Sequence, residues 1–215
     1  MASYNRKSIR LQQHDYSGDG YYFVTVCTKD RECLFGDVID GSMRLNRMGI
    51  VANTYWHQIK EHFKNVHLDE CIIMPNHMHG IIVINDKTDI DIRKLNVGAG
   101  FPRPLRDGNE CHHKRNSDVV GHEGRGNRAP TTLGRIMAYY KYQSTKQINI
   151  MHKTPGTCVW QRAFYDHIIR NEKSLHDIRE YVINNPSQWE YDENNPNRIA
   201  GVETNGNSYE TKLSF

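Results

Sequence analysis

The sequence predicts an α+β fold of the ferredoxin-like (RRM-like) kind: an antiparallel sheet built in the order βαββαβ, with an added C-terminal helix. Three observations predict it. Four segments rich in β-branched and aromatic residues read as strands. Two stretches with apolar residues at spacings of three and four read as helices set among those strands. A third such stretch follows the last strand and is stopped by a proline. At 215 residues the chain suits one domain with a sizeable core and some excess length.

The first strand is Tyr21-Tyr22-Phe23-Val24-Thr25-Val26-Cys27. Asp40-Gly41, between Val38-Ile39 and Met43-Arg44-Leu45, signals a tight hairpin. A helix follows over 47–63, with Ala52, Trp56, Ile59 and Phe63 as its apolar stripe. The runs 68–74 and 77–84, split by Pro75-Asn76, form a hairpin of two core strands. Residues 86–130 lose all periodicity and turn to Gly, Asn, Arg, Asp and His, the pattern of a long flexible insertion. Helical spacing returns over 132–150, with Leu133, Ile136, Tyr140 and Ile148 on one side. A strand with irregular ends is expected within 159–169. The last helix, 172–184, carries Leu175, Ile178 and Val182 and is stopped by Pro186. The expected organisation is thus a single domain over 1–192, interrupted at 86–130, and a polar tail over 193–215.

Composition bounds the function. The formal net charge of +3 is too small to imply a nucleic-acid partner by itself. No run approaches the roughly 20 apolar residues that span a membrane, and the N-terminus has no apolar signal-peptide core, so a cytoplasmic protein is expected. The five cysteines are scattered and odd in number, with no CxxC pair, which argues against both a disulfide framework and a structural zinc site.

His77-Met78-His79 is the sharpest local feature. Strand side chains alternate, so both imidazoles point to one face and can converge on a metal ion. A chance pair of strand histidines is the alternative. Tyr181 and Asn185 lie four apart at the end of the last helix and share a face, so a hydroxyl and an amide oxygen could be offered to one point. The alternative there is a core tyrosine one turn before a capping asparagine. Cys111-His112-His113 with His122 is a weaker metal candidate in irregular surroundings. Arg6, Lys7, Arg10, Lys141, Lys146 and Arg162 are candidate phosphate contacts.

The strand Met74-Pro75-Asn76-His77-Met78-His79-Gly80 looks like the HUH motif of the insertion-sequence-200-like transposases. With the N-terminal segment from Asn5 to Thr28 and the segment from Val159 to Pro186, the chain resembles more closely the REP-associated tyrosine transposases. The resemblance covers roughly 5–95 and 130–192. It implies a metal-dependent enzyme that cuts and rejoins single-stranded DNA beside hairpin (REP-like) elements through a 5′-phosphotyrosine. His77 and His79 would be metal ligands, Asn185 a third ligand and Tyr181 the nucleophile. Mg²⁺ or Mn²⁺ would be the ion, and the protein would be nucleoid-associated when bound to DNA. The family includes monomers and dimers that exchange the tyrosine helix, so a homodimer stays open.

Overall fold

A computed structural model describes residues 19–85 and 132–198 of the chain. Arg6, Lys7, Arg10, the expected insertion at 86–130, the Cys111/His112/His113/His122 group and most of the expected tail lie outside the described residues.

Strand β1 (Gly20–Cys27) leads into the hairpin β2 (Gly36–Ile39) and β3 (Ser42–Leu45). Helices α1 (Arg47–His57) and α2 (Ile59–His62) follow, then β4 (Val66–Ile73), β5 (His77–Ile84), α3 (Thr132–His152), β6 (Tyr165–Ile169) and α4 (Glu172–Asn184). The main sheet has the order β4-β5-β1-β6, and every neighbouring pair is antiparallel. The connections carrying α1 and α3 therefore each link two strands that leave a gap between them, filled by a third strand. This is the α+β arrangement of a ferredoxin-like βαββαβ sheet.

Alternation along β1 divides the core in two. Tyr22, Val24 and Val26 join Trp56, Leu133, Ile136 and Tyr140 in the layer beneath α1 and α3. Phe23 turns the other way and packs with Ile81, Ile169, Leu175, Ile178 and Val182 beneath α4. The sheet is thus covered on both faces, with α4 on the second. Asp40 (φ 50) and Gly41 (φ 68) both take left-handed backbone in the β2–β3 hairpin, as an Asp-Gly turn requires. Asn46 caps α1 by accepting from the Met48 and Gly49 amides, and Asn171 caps α4 by accepting from Ser174.

Three expectations differ from the structure. The helix expected over 47–63 is divided at Gln58, where Glu61 N–H closes onto the Gln58 carbonyl in a tighter turn. The strand expected within 159–169 is regular only from Tyr165. Before it, Trp160 makes an isolated bridge to Thr28, because its indole is drawn into the core against Phe35 and Tyr140. Asn194 and Asn195, read as the start of the tail, are buried. The chain after α4 forms a 3₁₀ turn, Asn185–Tyr191, and folds back onto Asn76 at the start of β5.

Candidate metal centre and tyrosine

His77 and His79 open β5 on the face that α4 covers, and both are fully buried. Their Nε2 atoms converge to 3.1 Å. Each outer nitrogen has a partner: Asn76 Oδ1 lies 2.9 Å from His77 Nδ1, and Thr25 Oγ1 lies 2.8 Å from His79 Nδ1. Thr25 is the cross-strand partner of His79 in the register, so strand pairing itself sets that contact. Phe23 stacks on the His79 ring with centroids 5.4 Å apart, holding it from the side.

Tyr181 arrives from α4. Its hydroxyl is 3.3 Å from His79 Nε2, and its ring lies edge-on to Phe23. The helix owes its place to the apolar stripe beneath it and to Arg179, whose guanidinium grips both carboxylate oxygens of Asp69. A β-bulge between Leu68 and Cys71 interrupts the β4–β5 register at that point. The extra residue lets Leu68 and Cys71 both face the α1/α3 layer while Asp69 meets α4.

The 3₁₀ turn and the residues after it supply the rest of the site. Asp192 Oδ2 lies 3.8 Å from His77 Nε2. His77, His79 and Asp192 form a group whose ligand atoms all lie within 4.8 Å of one another, so it could hold a metal ion. Asn185 is buried beside His77 and favours its protonated form. No hydrogen bond of good geometry reaches its Oδ1. Trp189 lies over His77 with ring centroids 5.9 Å apart.

Electrostatics fit neutral imidazoles. Burial pushes His77 down to about 4, although Asp192 and Asn185 pull it back up and the Arg31 charge pushes it further down. Burial, with the neighbouring His77, holds His79 well below its ordinary value. Neutral imidazole is the form that binds metal.

The sequence-predicted residues thus fall into three groups. His77, His79, Tyr181 and Asn185 come together. Lys146 and Arg162 are exposed. Lys141 is half-buried: its ammonium donates to the carbonyls of Gln161 and Arg162, and burial lowers its pKa to about 8. Sequence reasoning missed Asp192 and Asn76. Asn76 directly precedes the paired histidines, and Asp192 lies in Asp192-Glu193-Asn194-Asn195-Pro196, a run of turn-forming residues that could have marked an ordered turn.

The fold and site define an α+β protein with a buried His-His-Asp group beside a helix-borne tyrosine. No family model matches the chain. It is 37% identical over 190 residues to an uncharacterized protein of Haemophilus influenzae, across 88% of this chain and 93% of that one. The chain belongs to the family of that protein. Among solved structures it is similar to a REP-associated tyrosine transposase bound to a REP hairpin, with 16% identity, a TM-score of 0.46, and coverage of 87% of this chain and 74% of that one. Among the described residues no helix is long and apolar enough to cross a membrane.

Proposed function

We propose that the protein is a metal-dependent transposase of the HUH type, which nicks single-stranded DNA beside hairpin (REP-like) elements and rejoins it through a phosphotyrosine. One observation carries the reading: the Tyr181 hydroxyl lies 3.3 Å from an imidazole nitrogen that is itself 3.1 Å from a second one. The resemblance of the histidine strand and the tyrosine helix to the REP-associated transposases supports the substrate class.

The donor set fits a divalent ion. Two Nε2 atoms, the Asp192 carboxylate and the buried Oδ1 of Asn185 supply nitrogen and hard oxygen together. That mixture suits Mn²⁺, with Mg²⁺ as the oxygen-preferring alternative. Bound there, such an ion would polarise the scissile phosphate and offset its developing charge.

The chain's own groups do the rest. Tyr181 Oη forms a bond to phosphorus while the bond from phosphorus to the 3′ oxygen breaks. The phenol proton passes to solvent and the departing 3′ oxygen takes one up. The products are a 5′-phosphotyrosine and a free 3′-hydroxyl. A second 3′-hydroxyl reverses the step on a new strand, so joining needs no nucleotide cofactor. Phe23 and the Arg179–Asp69 pair fix the attacking ring. Tyr181 meets the histidines of its own chain, which supports cleavage in cis with no exchanged helix. Lys146 and Arg162, with Arg6, Lys7 and Arg10, remain candidate phosphate contacts, and the enzyme acts in the cytoplasm on nucleoid DNA.

A non-catalytic single-strand-binding module is less well supported. Such a sheet stacks bases on exposed aromatics, whereas here helices cover both faces. The test is to incubate hairpin-bearing single strands with protein and Mn²⁺ and resolve the products under denaturing conditions. A protein–DNA adduct that EDTA abolishes is expected, and His77→Ala should also abolish it. Cleavage indifferent to chelator would remove the metal from the mechanism.

A further inference from the structure

Asn76 lies between His77 and two stretches of chain that frame the site. Its side chain is fully buried. Nδ2 is 3.0 Å from the Arg31 carbonyl and 2.6 Å from the Asn194 carbonyl, while Oδ1 is 2.9 Å from His77 Nδ1. The Asn76 carbonyl in turn accepts from Thr28 N–H at 2.8 Å and from Thr28 Oγ1 at 3.0 Å.

These partners fix the orientation of the carboxamide. Two backbone carbonyls can only accept, so the amide nitrogen must face them. Oδ1 then faces the ring, and it too can only accept. His77 Nδ1 must therefore carry the proton, which leaves a lone pair on Nε2. The Thr25 hydroxyl beside His79 imposes no such choice, since it can donate to Nδ1 or accept from it. In the metal-free protein His79 Nε2–H donates to His77 Nε2, and Thr25 donates to His79 Nδ1. Rotation of one hydroxyl would let His79 change tautomer and expose its own Nε2 lone pair.

We propose that Asn76 is the positioning residue of this centre. It holds His77 in the Nδ1–H tautomer with Nε2 ready to ligate. Through the same carboxamide it ties down the segment that brings Asp192 to that nitrogen. Three further bonds stiffen the segment: Asn194 N–H to Asp192 Oδ1 at 2.6 Å, Asn195 N–H to the Asp192 carbonyl at 3.0 Å, and Asn195 Nδ2 to the Trp189 carbonyl at 2.8 Å. A buried group with both hydrogen-bonding ends committed is costly to disturb. The purpose of the device rests on the proposed metal centre; the tautomer does not.

The test uses the full chain, metal-free and ¹⁵N-labelled at histidine, with long-range ¹H–¹⁵N spectra to read each tautomer and Mn²⁺ titration to read affinity. Wild type should show His77 as Nδ1–H. Asn76→Ala should move it toward Nε2–H and lower Mn²⁺ affinity about 10- to 100-fold, the usual effect of losing a partner that orients a ligand. Asn76→Asp keeps an acceptor for Nδ1 but turns an oxygen toward the two carbonyls. It should retain the tautomer while amide exchange at Asn194 and Asn195 speeds up. If Asn76→Ala does not fold, the wild-type tautomer and the Asn76→Asp exchange rates still decide. His77 found as Nε2–H in wild type overturns the proposal. So does an Asn76→Ala protein with tautomer and affinity unchanged, or an Asn76→Asp protein with exchange unchanged. Wild type that shows Nδ1–H yet binds no Mn²⁺ supports the tautomer assignment and counts against the metal centre alone.

Discussion

Lowering the pH should destabilise the metal-free protein through its buried histidines. Burial pushes the His77 pKa from 6.5 to about 4, with Asp192 and Asn185 opposing and Arg31 assisting, and His79 is displaced in the same direction by burial and by His77. In the unfolded chain both return to an ordinary histidine value of about 6.5. As pH falls, the unfolded state takes up protons first and gains relative to the native state. The stability is therefore complete above about pH 6.5 and is lost as pH falls toward the folded value of about 4. Integrated from pH 7 to pH 5, His77 alone costs about 2 kcal/mol, and His79 adds to this. The assay is urea unfolding at both pH values for wild type and His77→Gln. The variant should lose about 2 kcal/mol less than wild type between them. Equal losses would refute the burial argument.

Other perturbations probe the frame around the site. A Cβ at Gly80 would lie 2.3 Å from Trp56 Cζ2 inside the α1/α3 layer, so Gly80→Ala should cost roughly 1–3 kcal/mol in thermal unfolding; an unchanged Tm would mean Trp56 is not seated against β5. Arg179→Ala removes the grip on Asp69, but the Arg179 side chain is 41% exposed, so the stability loss should be about 1 kcal/mol or less. The rate of adduct formation should nonetheless fall several-fold, because α4 carries Tyr181; an unchanged rate would show that the stripe alone sets the helix. Lys141→Met should leave single-strand binding and its salt dependence unaltered, whereas Arg162→Ala should reduce the salt slope by about 1. A matching fall in Lys141→Met would return that ammonium to the DNA.

The sheet was legible because β1 and β5 are dense in β-branched and aromatic residues, and because Asp40-Gly41 fits only a few turn geometries. The helices were legible from stripes such as Leu175, Ile178 and Val182. The paired histidines and Tyr181 were legible as candidates, since strand and helix periodicities fix which side chains share a face. What periodicity cannot do is place a segment that has none. Asp192 lies beyond Pro186 in polar sequence; its turn-forming neighbours could mark a turn, but its approach to His77 depends on the long-range hydrogen bond from Asn76 to the Asn194 carbonyl, which no local pattern encodes. Lys141 was legible only as a basic residue that could meet phosphate; that its ammonium also bonds the carbonyls of residues 161–162 follows from the non-local fold. The shortened β6 has a similar origin, since core burial of Trp160 overrides the strand propensity of its neighbours.

The central claim is that the Tyr181 oxygen becomes bonded to DNA. The most direct measurement is tandem mass spectrometry of the adduct after trypsin and nuclease digestion. Cleavage after Arg179 and Arg198 gives a peptide that holds both Tyr181 and Tyr191, so fragmentation has to separate the two. The account predicts a nucleotide phosphate on Tyr181 and no adduct from Tyr181→Phe. Phosphate on Tyr191 or any other residue, or an adduct that survives Tyr181→Phe, would contradict it.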